Sequence, residues 1–384
     1  MVTGHKINPG NPGHAAGRAA EFIRKNTVLI IAFAAAVLTS VIVPPDAEYA
    51  GYFDLRTLTC LFCTLAMNCA LKNIKFFTVT AEKIVSATGN IRRAVIAIVV
   101  ITFVGSMLIA NDMALLTFLP LGYRVLESSG QKKYMIFTFI MQNIGANLGG
   151  MLTPFGNPQN LYLYNKFGIP TGEFMGIMAI PFIAATVLIL LCCLIFVKSE
   201  PITVAVKSGR TLPAGRTALY LALFAFSIVI VFRIVPYWVG LIVIPAVLIF
   251  ADRRALMSVD YCLLLTFVCF FVFSGNMSRI EPVSRFLSTV LGRNPLIVSI
   301  LSCQVISNVP SAILLSGFTD NYRALLYGVN IGGTGTLIAS LASLITYRQF
   351  CAEEPDKKGK YLAAFTALNV GFLVIMTAVC AILL

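Results

Sequence analysis

Residues 94–121 read AVIAIVVITFVGSMLIANDMALLTFLPL, and residues 295–317 read PLIVSILSCQVISNVPSAILLSG. Each is an apolar run long enough to cross a bilayer, and each carries a polar break at its centre. The breaks are Ala110-Asn111-Asp112 in the first run and Ser307-Asn308-Val309-Pro310 in the second. A straight helix through the first run would leave Asp112 near the middle of the membrane, at about 2.5–3.5 kcal/mol on insertion scales. Irregular backbone at that depth is tolerated only where it is buried in protein or lines a wet cavity. Both runs therefore read as re-entrant helical hairpins with sheltered tips.

The rest of the chain agrees with a membrane setting. Of its 384 residues, 58% are hydrophobic and 12% charged, with a mean hydropathy of +0.87. A soluble domain carries about 25% charged residues, so a soluble fold is excluded. Further apolar runs lie near 27–43, 54–71, 134–163, 174–197, 217–233, 235–251, 260–277, 323–346 and 361–384. Each approaches the ~20 residues that a spanning helix needs. The expected fold is an all-α polytopic membrane protein with nine full crossings plus two hairpins. The first run has Arg24 and Lys25 before it and no small-x-small motif before Pro44-Pro45, so it reads as a retained helix rather than a leader. The ten cysteines fall mostly within apolar runs and read as packing residues.

Net charge is +13, from 29 Lys+Arg against 16 Asp+Glu. In a soluble chain that excess would suggest nucleic acid, but here the cations are scattered between apolar runs. With the N-terminus inside and both hairpins returning to their own side, Lys and Arg divide 22 inside to 7 outside. This is the positive-inside bias of a multi-pass inner (plasma) membrane protein, with no nucleic-acid partner.

The chain also repeats itself. Asn147-Leu-Gly149-Gly150-Met-Leu-Thr153 matches Asn330-Ile-Gly332-Gly333-Thr-Gly-Thr336, Asn111 answers Asn308, and Asp54 and Asp260 each precede a matching helix. The expected organisation is a disordered cytoplasmic tail (1–26), a first transmembrane helix (27–53) and repeat 1 (54–198, with hairpin 94–121 and broken helix 134–163). A linker with two connecting helices (199–259) leads to repeat 2 (260–384, with hairpin 295–317 and broken helix 323–346). Five crossings separate the starts of the two copies. Five is odd, so they are inverted relative to each other. Inverted repeats with interrupted helices in matching positions point to a secondary transporter and to its binding site.

The site should form where the interruptions meet. Asn111, Asp112, Asn147, Gly149, Thr153 and Asn157 would make one half, and Ser307, Asn308, Asn330, Gly332, Thr334 and Thr336 the other. Glycines let the chain unwind and approach a ligand closely. Freed carbonyls coordinate a cation, and helix N-termini favour an anion. Asp112 is the one acidic residue placed deep in the membrane, and three readings stand for it: Na⁺ ligand, proton carrier, or helix cap. Asp54, Asp260, Asp320 and Arg56 fall at helix ends as solvated anchors. No Lys or Arg stands at an interruption, so an anionic cargo would be held by helix ends, amides, hydroxyls and a bound cation such as Na⁺. The enzyme classes do not fit: the only histidines, His5 and His14, lie in the tail, HExxH is absent, and a second deep Asp is missing. A channel fits two pseudo-symmetric halves less well than alternating access does.

Ala110-Asn111-Asp112-Met-Ala-Leu-Leu-Thr-Phe-Leu-Pro, Thr153-Pro-Phe-Gly-Asn-Pro-Gln-Asn160 and Ser307-Asn308-Val-Pro-Ser-Ala resemble motifs of the ion transporter superfamily. Its members include arsenite permease/NhaD-type antiporters, citrate-transporter-like permeases and divalent anion:Na⁺ symporters. The resemblance covers about residues 54–384. It implies a homodimer with a scaffold and a mobile transport domain moving as an elevator. It also implies Na⁺ and substrate carboxylates held by Ser-Asn-Thr motifs at the hairpin tips. Asn111, Ser307 and Asn308 match that pattern, while Ala110, Asp112 and Val309 replace hydroxyl residues. The Thr-Pro-Phe-Gly-Asn-Pro segment carries Thr153 and Asn157 over as site candidates. The expectation is an ion-coupled transporter of a small carboxylate or oxyanion, with Na⁺ (on Asn111, Asp112 and Asn308) or H⁺ as coupling ion and no other cofactor. A NhaD-type Na⁺/H⁺ antiporter is the alternative, because Asn-Asp at the first tip resembles that side of the superfamily.

Overall fold

The computed structural model describes residues 26–202 and 211–384. All but the last residue of the expected tail, with His5 and His14, lies outside the described residues, as do Lys207 and Arg210. Every long element is helical. The isolated bridge between Asn90 and Pro201 is the one β pairing among the described residues.

The chain opens with α1 (Thr27–Ile42), which Pro44-Pro45 ends. A short 3₁₀ turn (Ala47–Tyr52), capped by Asp46, comes next, so the first helix is shorter than the expected 27–53. Then come α2 (Leu55–Asn73), α3 (Phe76–Ser86), α4 (Ile91–Ile109), α5 (Asn111–Ser128), α6 (Met135–Gly149), α7 (Pro158–Lys166) and α8 (Thr171–Phe196). The connecting segment holds α9 (Ala214–Val231), α10 (Tyr237–Ala251) and a third, short helix α11 (Arg253–Met257) where two were expected. The last seven are α12 (Tyr261–Arg279), α13 (Glu281–Arg293), α14 (Pro295–Ile306), α15 (Asn308–Leu315), α16 (Tyr322–Ile331), α17 (Leu341–Glu353) and α18 (Lys358–Ile382).

Five helices are individually long and apolar enough to cross a membrane: α4, α8, α9, α12 and α18, the last with its preceding turn. A sixth candidate is α2 with α3, bent by 59°. The nine expected crossings shrink because α1 and α10 are shorter and because two expected crossings are broken. One divides into α6 and α7, the other into α16 and α17. Two helices, α3 and α13, were not expected at all. Both are short and carry charge, so neither forms an apolar run.

Helices α2 to α8 and α12 to α18 follow the same order. Asp54 and Asp260 each cap the first helix of the series, accepting from Thr57 N at 2.9 Å and Leu263 N at 3.0 Å. Within each series two helices fold back on each other. The side-chain amide of Gln142 donates to Thr102 Oγ1 and to Phe118 O, both at 3.0 Å. On a continuous helix those two residues would stand about 24 Å apart, so α4 and α5 are antiparallel neighbours. Ser302 and Ser311, joined hydroxyl to hydroxyl at 2.8 Å, do the same for α14 and α15. The turns are single residues: Ala110 at φ 61, ψ 153, and Ser307 at φ 74, ψ 160. That region is almost reserved for glycine and costs a side-chain-bearing residue about 1–3 kcal/mol. The same strain at the same place in both hairpins marks the tips as special.

The densest packing falls within two groups of helices, which touch each other where α2 meets α7 and where α12 meets α15. One gathers α9, α10 and α11 around α2, and α1 against α12, where Asn276 Nδ2 donates to Thr39 and Ser40. The other joins α4–α8 to α14–α18 and contains both hairpins and both broken helices.

Candidate functional site

At each hairpin tip an asparagine starts the returning helix and folds its own oxygen over the next backbone amide. Asn111 Oδ1 accepts from Asp112 N, and Asn308 Oδ1 accepts from Val309 N, each at 3.0 Å. These contacts fix the side-chain oxygen of each asparagine at its tip. Asn111 Nδ2 reaches Asn147 Oδ1 at 3.4 Å. Asn147 is held in turn by donating to Asn143 O, one turn back on α6.

Gly333 joins the halves. A side chain on it would begin 3.1 Å from Asn308 Nδ2 and 3.5 Å from Asn147 Oδ1. Asn147 and Asn308 therefore meet at one backbone glycine, and Asn111 joins them through Asn147. All three asparagines are buried. A second amide pair crosses between the breaks, where Asn330 Nδ2 donates to Asn160 Oδ1 at 2.6 Å. Asn160 also donates to Gly150 O and Met151 O, tying α7 back to the end of α6. Asn157 donates to Asn147 O at 3.5 Å.

Other expected residues are spent differently. Gly149 packs against the hairpin: a Cβ there would sit 2.1 Å from Phe103 O of α4. Gly332 meets Cys303 of α14, whose Cβ and Sγ would both stand 3.0 Å from a Cβ at 332. Close backbone contact with a hairpin limb is thus reason enough for these two glycines. Thr153 donates to Met107 O near the first tip. Thr334 is buried and bonds Ile331 O of its own helix. Thr336 is exposed and held at Gln304, outside the asparagine cluster. Ser307 donates to Ala339 O, and Asn308 N does so as well, which docks the second tip onto the loop before α17.

Sequence reading passed over Gln304, and it left Asn160 and Gly333, both within the quoted motifs, out of the expected site. Gln304 Nε2 holds Gly332 O and Thr334 O, and its Oε1 accepts from Thr336 N, so this one side chain organises the second break. The signals were present: Asn160 follows Asn157 by three, Gln304 precedes Ser307 by three, and Gly333 belongs to the repeated motif.

The electrostatics follow from where helices start and stop. Helices α5, α7, α15 and α17 begin at the cluster, and α4, α6, α14 and α16 end there. Starts bring partial positive charge and free N–H groups; ends bring carbonyls. Three side-chain oxygens at the breaks, on Asp112, Asn157 and Asn330, are buried without a hydrogen-bond partner among the described residues. Buried acceptors of that kind suit a cation, and the helix starts suit an anion. No Lys or Arg lies within 94–123, 134–165, 294–322 or 324–347, so these elements bring no fixed cation of their own.

Comparison with known proteins points to transport. The sequence model described as citrate transporter matches residues 18–322. An uncharacterized transporter of Methanocaldococcus jannaschii is 32% identical over 331 residues, covering 85% of this chain and 89% of its own. Inner membrane protein YbiR of Escherichia coli K12 is 29% identical over 306 residues, covering 77% and 80% respectively.

Proposed function

The chain belongs to the citrate transporter family, and we propose that it is an ion-coupled secondary active transporter for a small carboxylate or oxyanion. Membership makes it a multi-pass membrane transporter. The cargo, the coupling ion and the mechanism are our reading of the site. The observation that carries it is the meeting of Asn147 and Asn308 at Gly333, with Asn111 bonded to Asn147, where four helices begin and four end. Helix starts and amide N–H groups would hold the anion's oxygens. Asp112, Asn157, Asn330 and freed carbonyls would hold Na⁺, or Asp112 a proton. Binding both together cancels charge, so the loaded site crosses the membrane more cheaply than either ion alone.

In this reading the hairpins are re-entrant, the two helix series are inverted copies, and the N-terminus is cytoplasmic. The set containing α4–α8 and α14–α18 moves as an elevator against the set around α2 and α12, in an inner-membrane homodimer. One observation favours a second reading, Na⁺/H⁺ antiport without organic cargo: the unpartnered Asp112 oxygen beside Asn111. Proteoliposomes separate the two. Accumulation of labelled citrate, phosphate or sulfate driven by a Na⁺ or pH gradient supports anion symport. Collapse of a pH gradient on adding Na⁺ alone, with no anion uptake, supports antiport and overturns the first reading.

A further inference from the structure

A cavity of about 310 Å³ lies away from the asparagine cluster, walled by residues 51–56 on one side and by the end of α7 on the other. Its lining includes Arg56, Lys166, Asn165, Tyr162 and Asp54. Helix α7 links the two places, because Asn157 immediately precedes its start and Lys166 is its last residue. Nine helical residues span about 13 Å, so the cavity stands one short helix from the candidate site.

Its charges are uneven. Neither Arg56 nor Lys166 forms an ion pair among the described residues; Arg56 only faces the Tyr237 ring at 5.8 Å. Asp54 is committed locally, with one oxygen accepting from Thr57 N and the other from Thr57 Oγ1 at 2.5 Å. A third cation stands close by. Arg233, in the turn between α9 and α10, lies 4.0 Å over the Tyr164 ring and donates to Tyr164 O and Ile169 O at the end of α7. Asn165 is fixed by its amide on Thr57 Oγ1 at 3.0 Å, and its own Oδ1 is buried without a partner. Two cations thus share the lining with one carboxylate, and Thr57 already occupies both oxygens of that carboxylate.

We propose that this cavity is a low-affinity binding site for a soluble polyvalent anion, a di- or tricarboxylate or an oxyanion, which captures cargo before it reaches the asparagine cluster. The proposal rests on the anion reading above and assigns it a second, peripheral station. The division of labour has a physical reason. A fixed cation at the inner site would bind an anion too firmly for release, whereas cations in a wet, low-dielectric-walled cavity focus the field and raise encounter rates by about 10–10³-fold. Arg56 supplies a planar fork and Lys166 a point charge, a pair suited to carboxylate oxygens.

Gly51 gives a reporter, since a side chain there meets nothing within 4 Å. Gly51→Cys in the full chain, in phosphatidylcholine proteoliposomes, is labelled with sulfonatoethyl or trimethylammonioethyl methanethiosulfonate. Labelling is read by mass spectrometry of the peptide bearing residue 51, which separates it from the native cysteines. Relative to a free small thiol, the anionic reagent should be favoured about 10-fold. Arg56→Gln with Lys166→Gln should return the ratio to that of the free thiol, and millimolar citrate or sulfate should slow labelling several-fold. A ratio equal to the free thiol, or one indifferent to the double substitution, overturns the proposal. So does suppression only in phosphatidylglycerol vesicles without added anion, which would make the occupant a lipid headgroup. Acetylation of Lys166 in the unsubstituted chain, with exposed Lys72 as internal reference, tests the same point should the cysteine variant not fold. Protection by citrate or sulfate supports the site, and its absence counts against it. Citrate uptake in the same vesicles is scored separately. A favourable labelling ratio without uptake of any tested anion refutes the transport reading and leaves the cavity standing.

Discussion

Glycine to alanine usually stabilises a helix interior, by about 1 kcal/mol, and two glycines of this protein should answer that substitution with opposite signs. Gly371 lies within α18 and has open space around it, with no atom within 4 Å of an added Cβ. Gly149 closes α6, where the same carbon would stand 2.1 Å from Phe103 O, 2.5 Å from Ser106 Oγ and 2.8 Å from the Phe103 carbonyl carbon. A carbon approaches a carbonyl oxygen no closer than about 3.3 Å even in favourable contacts. The gap between α4 and α6 must therefore open by about 1 Å, and the obstruction is backbone on both sides, so no rotamer change relieves it. Overpacking of this kind costs about 1–3 kcal/mol, and the propensity gain offsets only part of it. Gly371→Ala should then raise the unfolding midpoint or leave it unchanged. Gly149→Ala should lower it by several degrees and weaken transport, because α4 carries the first tip. Thermal unfolding of purified protein followed by intrinsic fluorescence measures both. Equal midpoints for the two variants would contradict this account, since the close approach of α4 and α6 would then be absent in the protein.

Other expectations are equally direct. Asp112→Asn should abolish gradient-driven accumulation while sparing expression and counterflow, if Asp112 carries the coupling charge; unchanged coupling stoichiometry would reduce it to the start of α5. Asn330→Leu should destabilise by about 1–3 kcal/mol, because Asn160 Oδ1 loses its 2.6 Å donor in a buried site. The double variant Asn160→Leu/Asn330→Leu should cost less than the sum of the singles, measured as a thermodynamic cycle. Arg279 donates to both oxygens of Asp46, at 3.0 and 2.6 Å, and holds that carboxyl below its ordinary value. A lowered folded value means the pair contributes fully above about pH 4 and loses its contribution as pH falls through the depressed value. The stability difference between the native chain and Arg279→Gln should accordingly shrink on acidification below about pH 4, and a difference that grows there would count against the assignment.

Much of the architecture was legible before any coordinates. Asp112 and the Ser307–Pro310 segment lie in runs too apolar to tolerate them on a straight helix, and burial cost alone placed a break at each. The helix starts after Asp54 and Asp260 and the glycine-rich ends of α6 and α16 are local signals, and the helices begin and end there; that both carboxylates cap their helices, where solvated anchors were expected, came from the structure. Helices α3 and α13 escaped because they are short and their charge dilutes any hydropathy average. The ends of α5 and α17 escaped for the same reason: both helices run on into polar sequence.

Sequence alone therefore determined that the chain is helical, where it must break, and which amides stand at the breaks, since each of these depends on a residue and its near neighbours. Tertiary packing decided which amides meet. Asn330 could have faced any of several partners, and it took Asn160 rather than a tip. Gly149 and Gly332 went to helix contacts, while Gly333 went to the centre between Asn147 and Asn308. Those choices hang on which faces of distant helices are pressed together, and a difference of one position along a helix turns a residue by about 100°. No pattern of spacing in one chain contains that rotation; it exists only once α14, α16, α4 and α6 have packed.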